Sequence, residues 1–119
     1  MRRLHLGRAL SPKVVLEWLA MVDFHNIKVT WDKHKNASNF KKHGIRFEDA
    51  KGAFLDKHRH MEPDPYEYED RWRTTGMIDN MLVLFVVHTS RDEGGTEVVR
   101  IISARKATRR ERETYYGNR

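Results

Sequence analysis

The 119-residue chain has no cysteine, which removes disulfides and thiolate zinc sites and fits a reducing compartment such as the cytoplasm. It has no apolar run of the roughly 20 residues that a bilayer-spanning helix needs. The apolar segment from Val14 to Val22 is short and interrupted by Glu17. A secretory signal also fits poorly there, since Glu17 sits where the apolar region should be and no small-x-small cleavage site follows. There is no glycine-rich phosphate loop, no G-x-S-x-G elbow and no internal repeat. Seven histidines are present, but His58 and His60 are two apart and His34 and His43 fall on different helix faces, so no metal motif emerges. These absences exclude the common hydrolase machineries and leave no cofactor or metal implied.

What is present is basic. A net charge of +6 and a pI near 9.8 favour anionic partners. The excess is concentrated at the end of the chain: Arg100–Arg119 holds seven Arg or Lys against two Glu. Met61–Asp70 carries five acids and no base, which argues for a basic patch with an acidic counterpart. With 39% hydrophobic residues the chain can build a small core under a heavily charged surface.

The pattern predicts α+β architecture: a twisted antiparallel sheet of about four to five strands packed against helices. Residues 1–26 form an N-terminal helical extension, opened by Ser11-Pro12 as N-cap and first helical position, and Met21 is an alternative start. The main domain, residues 27–119, opens with the strand IKVTW, followed by a helix capped by Asp32 and stopped by Gly44. On this helix Ala37 and Phe40 are expected to face inward, with Asn36, Asn39 and His43 as a polar stripe. Phe47, Ala50 and Phe54 mark a second helix. A weak strand at Arg59–Glu62 precedes a loop at Pro63–Pro65. Asp70–Ile78, Met81–His88 and the strand from Val98 form a meander with turns at Asp79-Asn80 and Gly94-Gly95. Met81–His88, nearly all apolar, is expected to be central and covered on both faces. Alternation in the last strand puts Val98, Arg100, Ile102 and Ala104 on one face and Val99, Ile101, Ser103 and Arg105 on the other. Thr108 and Glu111 have capping-box spacing for a final basic helix.

Candidate functional residues follow from these placements. Arg71 and Arg73 share a strand face, Arg91 closes the next strand, and Arg105 leaves the last beside Ser103. On adjacent strands about 4.8 Å apart, their guanidinium forks can converge on phosphate. Each one taken singly reads equally as a sheet-edge residue reaching for water. His43 is a general acid or base by its titration range, or a helix-end residue near the dipole. Residues and spacing alone describe a basic α+β domain that binds RNA or protein, and they name no reaction.

Three ordered segments add a resemblance. W-D-x-x-K-N-A-S-N-x-x-K-H-G-I-x-F-E-D-A (Trp31–Ala50), D-R-W-R-T-T-G (Asp70–Gly76) and R-I-I-S-A-R-K-A-T-R-R-E-R-E-T-Y (Arg100–Tyr115) resemble the signatures of BrnT-type toxins. The resemblance implies a RelE-like fold and a metal-independent ribonuclease of a type II toxin–antitoxin pair that inhibits translation. It also implies a BrnA-type antitoxin partner, two toxins with two antitoxins, and contact with DNA only through that antitoxin. Metal-free cleavage needs a base, cations on the phosphate and a proton for the leaving oxygen. Arg71 and Arg105 are then expected to hold the phosphate, with His43 as proton shuttle and Ser103 as orienting hydroxyl. Arg73, Arg91, Lys106, Arg109 and Arg110 would contact RNA, with Trp72 as a stacking platform. The competing expectation is a non-catalytic basic module for an acidic protein or nucleic acid.

Overall fold

A computed structural model describes residues 26–117. The helix expected after Ser11 and the alternative start at Met21 lie outside them. Strand β1, Ile27–Trp31, leads into helix α1, Lys33–His43. Asp32 caps α1 by accepting from the backbone N–H groups of His34 (2.8 Å) and Lys35 (3.0 Å), and these bonds hold its carboxyl below the usual carboxylate range. Gly44 ends the helix at φ 73°, donating its N–H to the Phe40 carbonyl. The second helix is split into a single α turn, α2 (Phe47–Ala50), and a 3₁₀ turn, Lys51–Leu55.

Strands β2 (His60–Asp64), β3 (Arg71–Ile78), β4 (Leu82–Glu93) and β5 (Thr96–Lys106) follow, then helix α3, Arg109–Gly117. Pro63 and Asp64, expected in a loop, are in β2. Proline is tolerated there because β2 is an edge strand. Both turns form as expected: Asp79 and Asn80 adopt φ 52° and 57°, Gly94 and Gly95 φ 60° and 90°. The capping box of α3 also closes, with Thr108 N–H donating to Glu111 Oε1 (2.8 Å) and Glu111 N–H to Thr108 Oγ1 (3.2 Å).

The sheet order is β1-β5-β4-β3-β2. Four strands pair antiparallel, but β1 pairs parallel with β5, so the sheet is mixed rather than wholly antiparallel. No hairpin ties β1 to its neighbour; α1, α2 and the meander intervene, which leaves the parallel pairing open. β4 is central, as its apolar run requires.

One face of this sheet packs on α1, α2 and the 3₁₀ turn. Phe47, Ala50, Ala53 and Phe54 bury against Leu84, Val86, Val99, Ile101 and Ala104. Gly76 permits the closest approach, since a Cβ there would lie 2.6 Å from the Ala53 carbonyl oxygen. The inward face of α1 is not the expected one. Ala37 and Phe40 are exposed, Phe40 under the Arg46 guanidinium, and Asn39 is buried. β1 stops pairing at Ile101, so beyond it β5 has a free edge, and Asn39 satisfies that edge. Its side chain donates to the carbonyls of Ala104 (2.8 Å) and Ile45 (3.0 Å) and accepts from Ala104 N–H (3.1 Å). Asn36 likewise accepts from Phe47 N–H (2.8 Å). The asparagine stripe faces inward because open backbone there demands polar partners.

On the other face α3 covers one end, packing Tyr115 and Ala107 on Val83 and Met77. Tyr115 Oη donates to Asp56 Oδ2 (2.5 Å), and Met77 N–H donates to the same oxygen (2.8 Å).

Candidate active site

A β-bulge decides which side chains meet. Val87 pairs with Ser103 and His88 with Ile101, which leaves Ile102 unpaired. The extra residue reverses the alternation. Val99, Ile101 and Ala104 enter the core together, while Val98, Arg100, Ser103 and Arg105 share the opposite face. The unbroken alternation expected from the sequence is thereby corrected: Arg100 and Arg105 lie on one face.

By register that face is built in three rows, leaving aside the end under α3. His60, Thr75, Phe85 and Arg105 form the first; Glu62, Arg73, Val87 and Ser103 the second; Asp64, Arg71, Thr89 and Arg100 the third. Phe85 is buried beneath two guanidinium groups, Arg105 at 4.3 Å and Arg73 at 5.9 Å from its ring centre. Four arginines thus surround one aromatic ring and one valine at the middle of the sheet.

Each arginine meets a carboxylate. Arg105 makes a fork to Glu111, NH1 to Oε1 at 2.8 Å and NH2 to Oε2 at 3.0 Å. The hydrogen bonds that Arg105 donates to Glu111 push its guanidinium up. Burial pushes the Glu111 carboxyl up, but the Arg105 fork and the Thr108 bonds outweigh it and hold it below the usual range. Glu69 takes Arg71 Nε on Oε1 (2.9 Å) and Arg100 NH2 on Oε2 (3.4 Å). Arg73 Nε lies 3.5 Å from Asp64 Oδ1, yet is buried without a hydrogen bond. The face therefore offers guanidinium donors, one of them unsatisfied, to an anion able to displace a carboxylate. The acidic stretch at 62–70 is the local counter-ion of this face.

The other expected residues are distributed as follows. Ser103 lines a shallow depression of about 370 Å³ with His43, His34, Lys35, Asn39 and Lys42, at the free edge of β5. Ser103 thus borders both the arginine face and His43. Arg91 is at the exposed hairpin end, paired with Glu93 at 2.6 Å. Trp72 pairs in register with His88 and so lies on the face opposite Arg71 and Arg73. Lys106, Arg109 and Arg110 are exposed; Lys106 pairs in register with Leu84 and so lies on the face opposite the four arginines, while Arg109 and Arg110 are on α3, where Arg109 meets Glu113 at 3.3 Å.

Sequence reasoning missed Arg100, His60, Glu69 and Glu111. Register alone would have found His60 opposite Thr75. Arg100 was hidden by the bulge, for which a stretch of consecutive β-formers gives no sign. Among the described residues no group of three His, Asp or Glu could hold a metal ion, and no helix is long and apolar enough to cross a membrane.

The mixed five-stranded α+β fold and its arginine-lined face agree with a small toxin of a type II toxin–antitoxin system, the class to which the family match assigns the chain. Residues 31–111 match the family described as the ribonuclease toxin BrnT of such a system, and the chain belongs to that family. A crystal structure of the Brucella abortus ribonuclease toxin BrnT, at 1.1 Å, is similar, with TM-score 0.51 and 25% sequence identity. The match covers 70% of this chain and 99% of that one. A comparison with curated protein sequences finds no significant match.

Proposed function

We propose that this chain is an endoribonuclease that cleaves RNA without a metal ion, and that the arginine face is its phosphodiester site. The observation that carries the reading is the convergence of Arg71, Arg73, Arg100 and Arg105 on one sheet face. Guanidinium groups fixed there supply the positive charge that a phosphorane-like transition state gains.

In this mechanism the 2′-oxygen attacks the neighbouring phosphorus and loses its proton to a base. The bond from phosphorus to the 5′-oxygen breaks, and that oxygen takes a proton from an acid. The products are a 2′,3′-cyclic phosphate and a 5′-hydroxyl. Arg71 and Arg105, assisted by Arg73 and Arg100, hold the non-bridging oxygens. We assign proton transfer to the imidazoles that flank the face, His60 at its β2 side and His43 beyond Ser103 at its β5 side, with the Ser103 hydroxyl orienting the ribose. Arg109 and Arg110 extend the positive surface along the RNA backbone, with Arg91 at its opposite end.

In the cell, cleavage would stop translation in the cytoplasm and a BrnA-type antitoxin would neutralise it in an assembly of two toxins with two antitoxins, touching DNA through the antitoxin alone. The carboxylates already seated on each arginine favour neutralisation by an acidic segment of that partner.

The test is RNA cleavage by purified protein in EDTA. Wild type is expected to cut, and folded Arg71→Ala or Arg105→Ala to lose about 10²–10³ in rate, the scale of one lost transition-state donor. Loss of cutting on chelation alone would overturn metal independence. No cutting by folded wild type, with or without ribosomes, would leave a binding module for an acidic partner.

A further inference from the structure

The loop 65–70 between β2 and β3 carries two tyrosines that a phosphate site does not account for. Tyr68 is 79% exposed and Tyr66 41%. Their rings meet edge to face with centroids 5.5 Å apart. The Arg71 guanidinium lies 3.7 Å from the Tyr66 ring centre while its Nε is held by Glu69. Glu69 also reaches Arg100, which faces Arg71 from the far side of β4. The Tyr66 N–H donates to Asp64 Oδ2 (3.1 Å), fixing the turn into the loop. A single exposed ring needs no explanation. Two rings in contact, joined through one arginine to a cluster of cations, match the alternation of single-stranded RNA, in which flat bases alternate with phosphates.

Glu69 shows how a phosphate would seat. Its two oxygens separately meet Arg71 and Arg100, the arrangement open to two non-bridging oxygens of a phosphodiester. A phosphate at that position would carry its adjoining base toward the loop. Trp72, expected in this role, faces away.

We propose that Tyr66 and Tyr68 form the nucleobase platform of this site, stacking the base beside a phosphate that replaces Glu69 on Arg71 and Arg100. The proposal rests on the ribonuclease reading above. It makes base recognition sequence-tolerant, because every base offers a π-face.

The experiment measures binding by fluorescence anisotropy with two labelled probes of equal length. One is 2′-O-methyl oligouridine, which lacks the attacking hydroxyl and cannot be cut by this chemistry; the other is its abasic counterpart. Wild type is expected to bind the base-bearing probe roughly 10- to 100-fold more tightly, the range of a stacked base. Tyr68→Ala should shrink that preference, and Tyr66→Ala with Tyr68→Ala should abolish it. Tyr68→Phe should keep it, and abasic binding should stay constant within about twofold in all variants whose circular dichroism matches wild type. A base preference that survives in the folded double variant overturns the platform and assigns the rings to a protein contact. RNA cleavage by a wild type with no base preference overturns the platform alone. Failure of wild type to bind either probe or to cut RNA overturns both readings.

Discussion

His88 lies outside the arginine face, on the side of the sheet that packs on the helices. It is fully buried, edge to face with Phe54 at 4.8 Å. The Thr89 carbonyl can only accept, so Nδ1–H donates to it (3.0 Å), and the neutral ring accepts from Thr74 Oγ1–H at Nε2 (2.7 Å). Burial pushes its pKa below the ordinary value, against smaller opposing effects from the Thr89 bond and Glu97. The unfolded chain therefore takes up this proton first as pH falls. Its contribution to stability is full above about 6.5 and declines below it. Urea unfolding of wild type at pH 7.5 and 5.0 should show this fall, and a folded His88→Gln should show a smaller one; an identical pH slope in both would remove His88 as the cause. Asn39→Ala is expected to cost about 2–4 kcal/mol, because the Ala104 N–H and carbonyl lose their partner at a buried edge. The midpoint of chemical unfolding checks it.

Among the elements, the 3₁₀ turn packs tightly on β3 at Gly76. Gly76→Ala would push a methyl group against the Ala53 backbone, and overpacking of that kind costs about 1–3 kcal/mol. A thermal shift of wild type against Gly76→Ala measures it directly, and no shift would mean the turn yields freely. Helix α3 and the arginine face are linked through Glu111, which closes the capping box and holds Arg105 at once. Glu111→Gln keeps the capping geometry but removes the charge on Arg105. Helix content by circular dichroism should hold while RNA affinity rises, since one competing carboxylate is gone. A drop in affinity would instead make Glu111 a positioning group for Arg105.

The whole molecule divides its charge between the arginine face and the acidic stretch folded beside it. A net charge of +6 therefore understates the local field available once Glu69 and Asp64 are displaced. RNA affinity should fall with salt at a log–log slope of about −0.7 per phosphate neutralised, hence about −3 for four engaged arginines. Arg100→Ala should make that slope shallower by roughly 0.7. Titrating a short RNA at several salt concentrations tests the count, and an unchanged slope would remove Arg100 from the backbone contacts.

Most of the elements were legible in the residues because their signals are local; the extent of β2 and the split of the second helix were not. Asp32 and Gly44 bound α1, Thr108 and Glu111 open α3, and paired positive-φ residues make both hairpins. Hydropathy made β4 central, and three ordered motifs pointed to the family. Which charges meet follows from strand pairing and packing. The unpaired Ile102 turned Arg100 to the side of Arg105, a reversal that strand alternation cannot reveal, since a bulge is set by pairing across strands. The inward turn of Asn39 depended on where β1 stops covering β5. The fold likewise set Tyr66 and Tyr68, both exposed, beside Arg71 in a loop whose Glu69 meets Arg71 and Arg100. Composition reports the sum of the charges; the register of five strands brings four guanidinium groups together on one face.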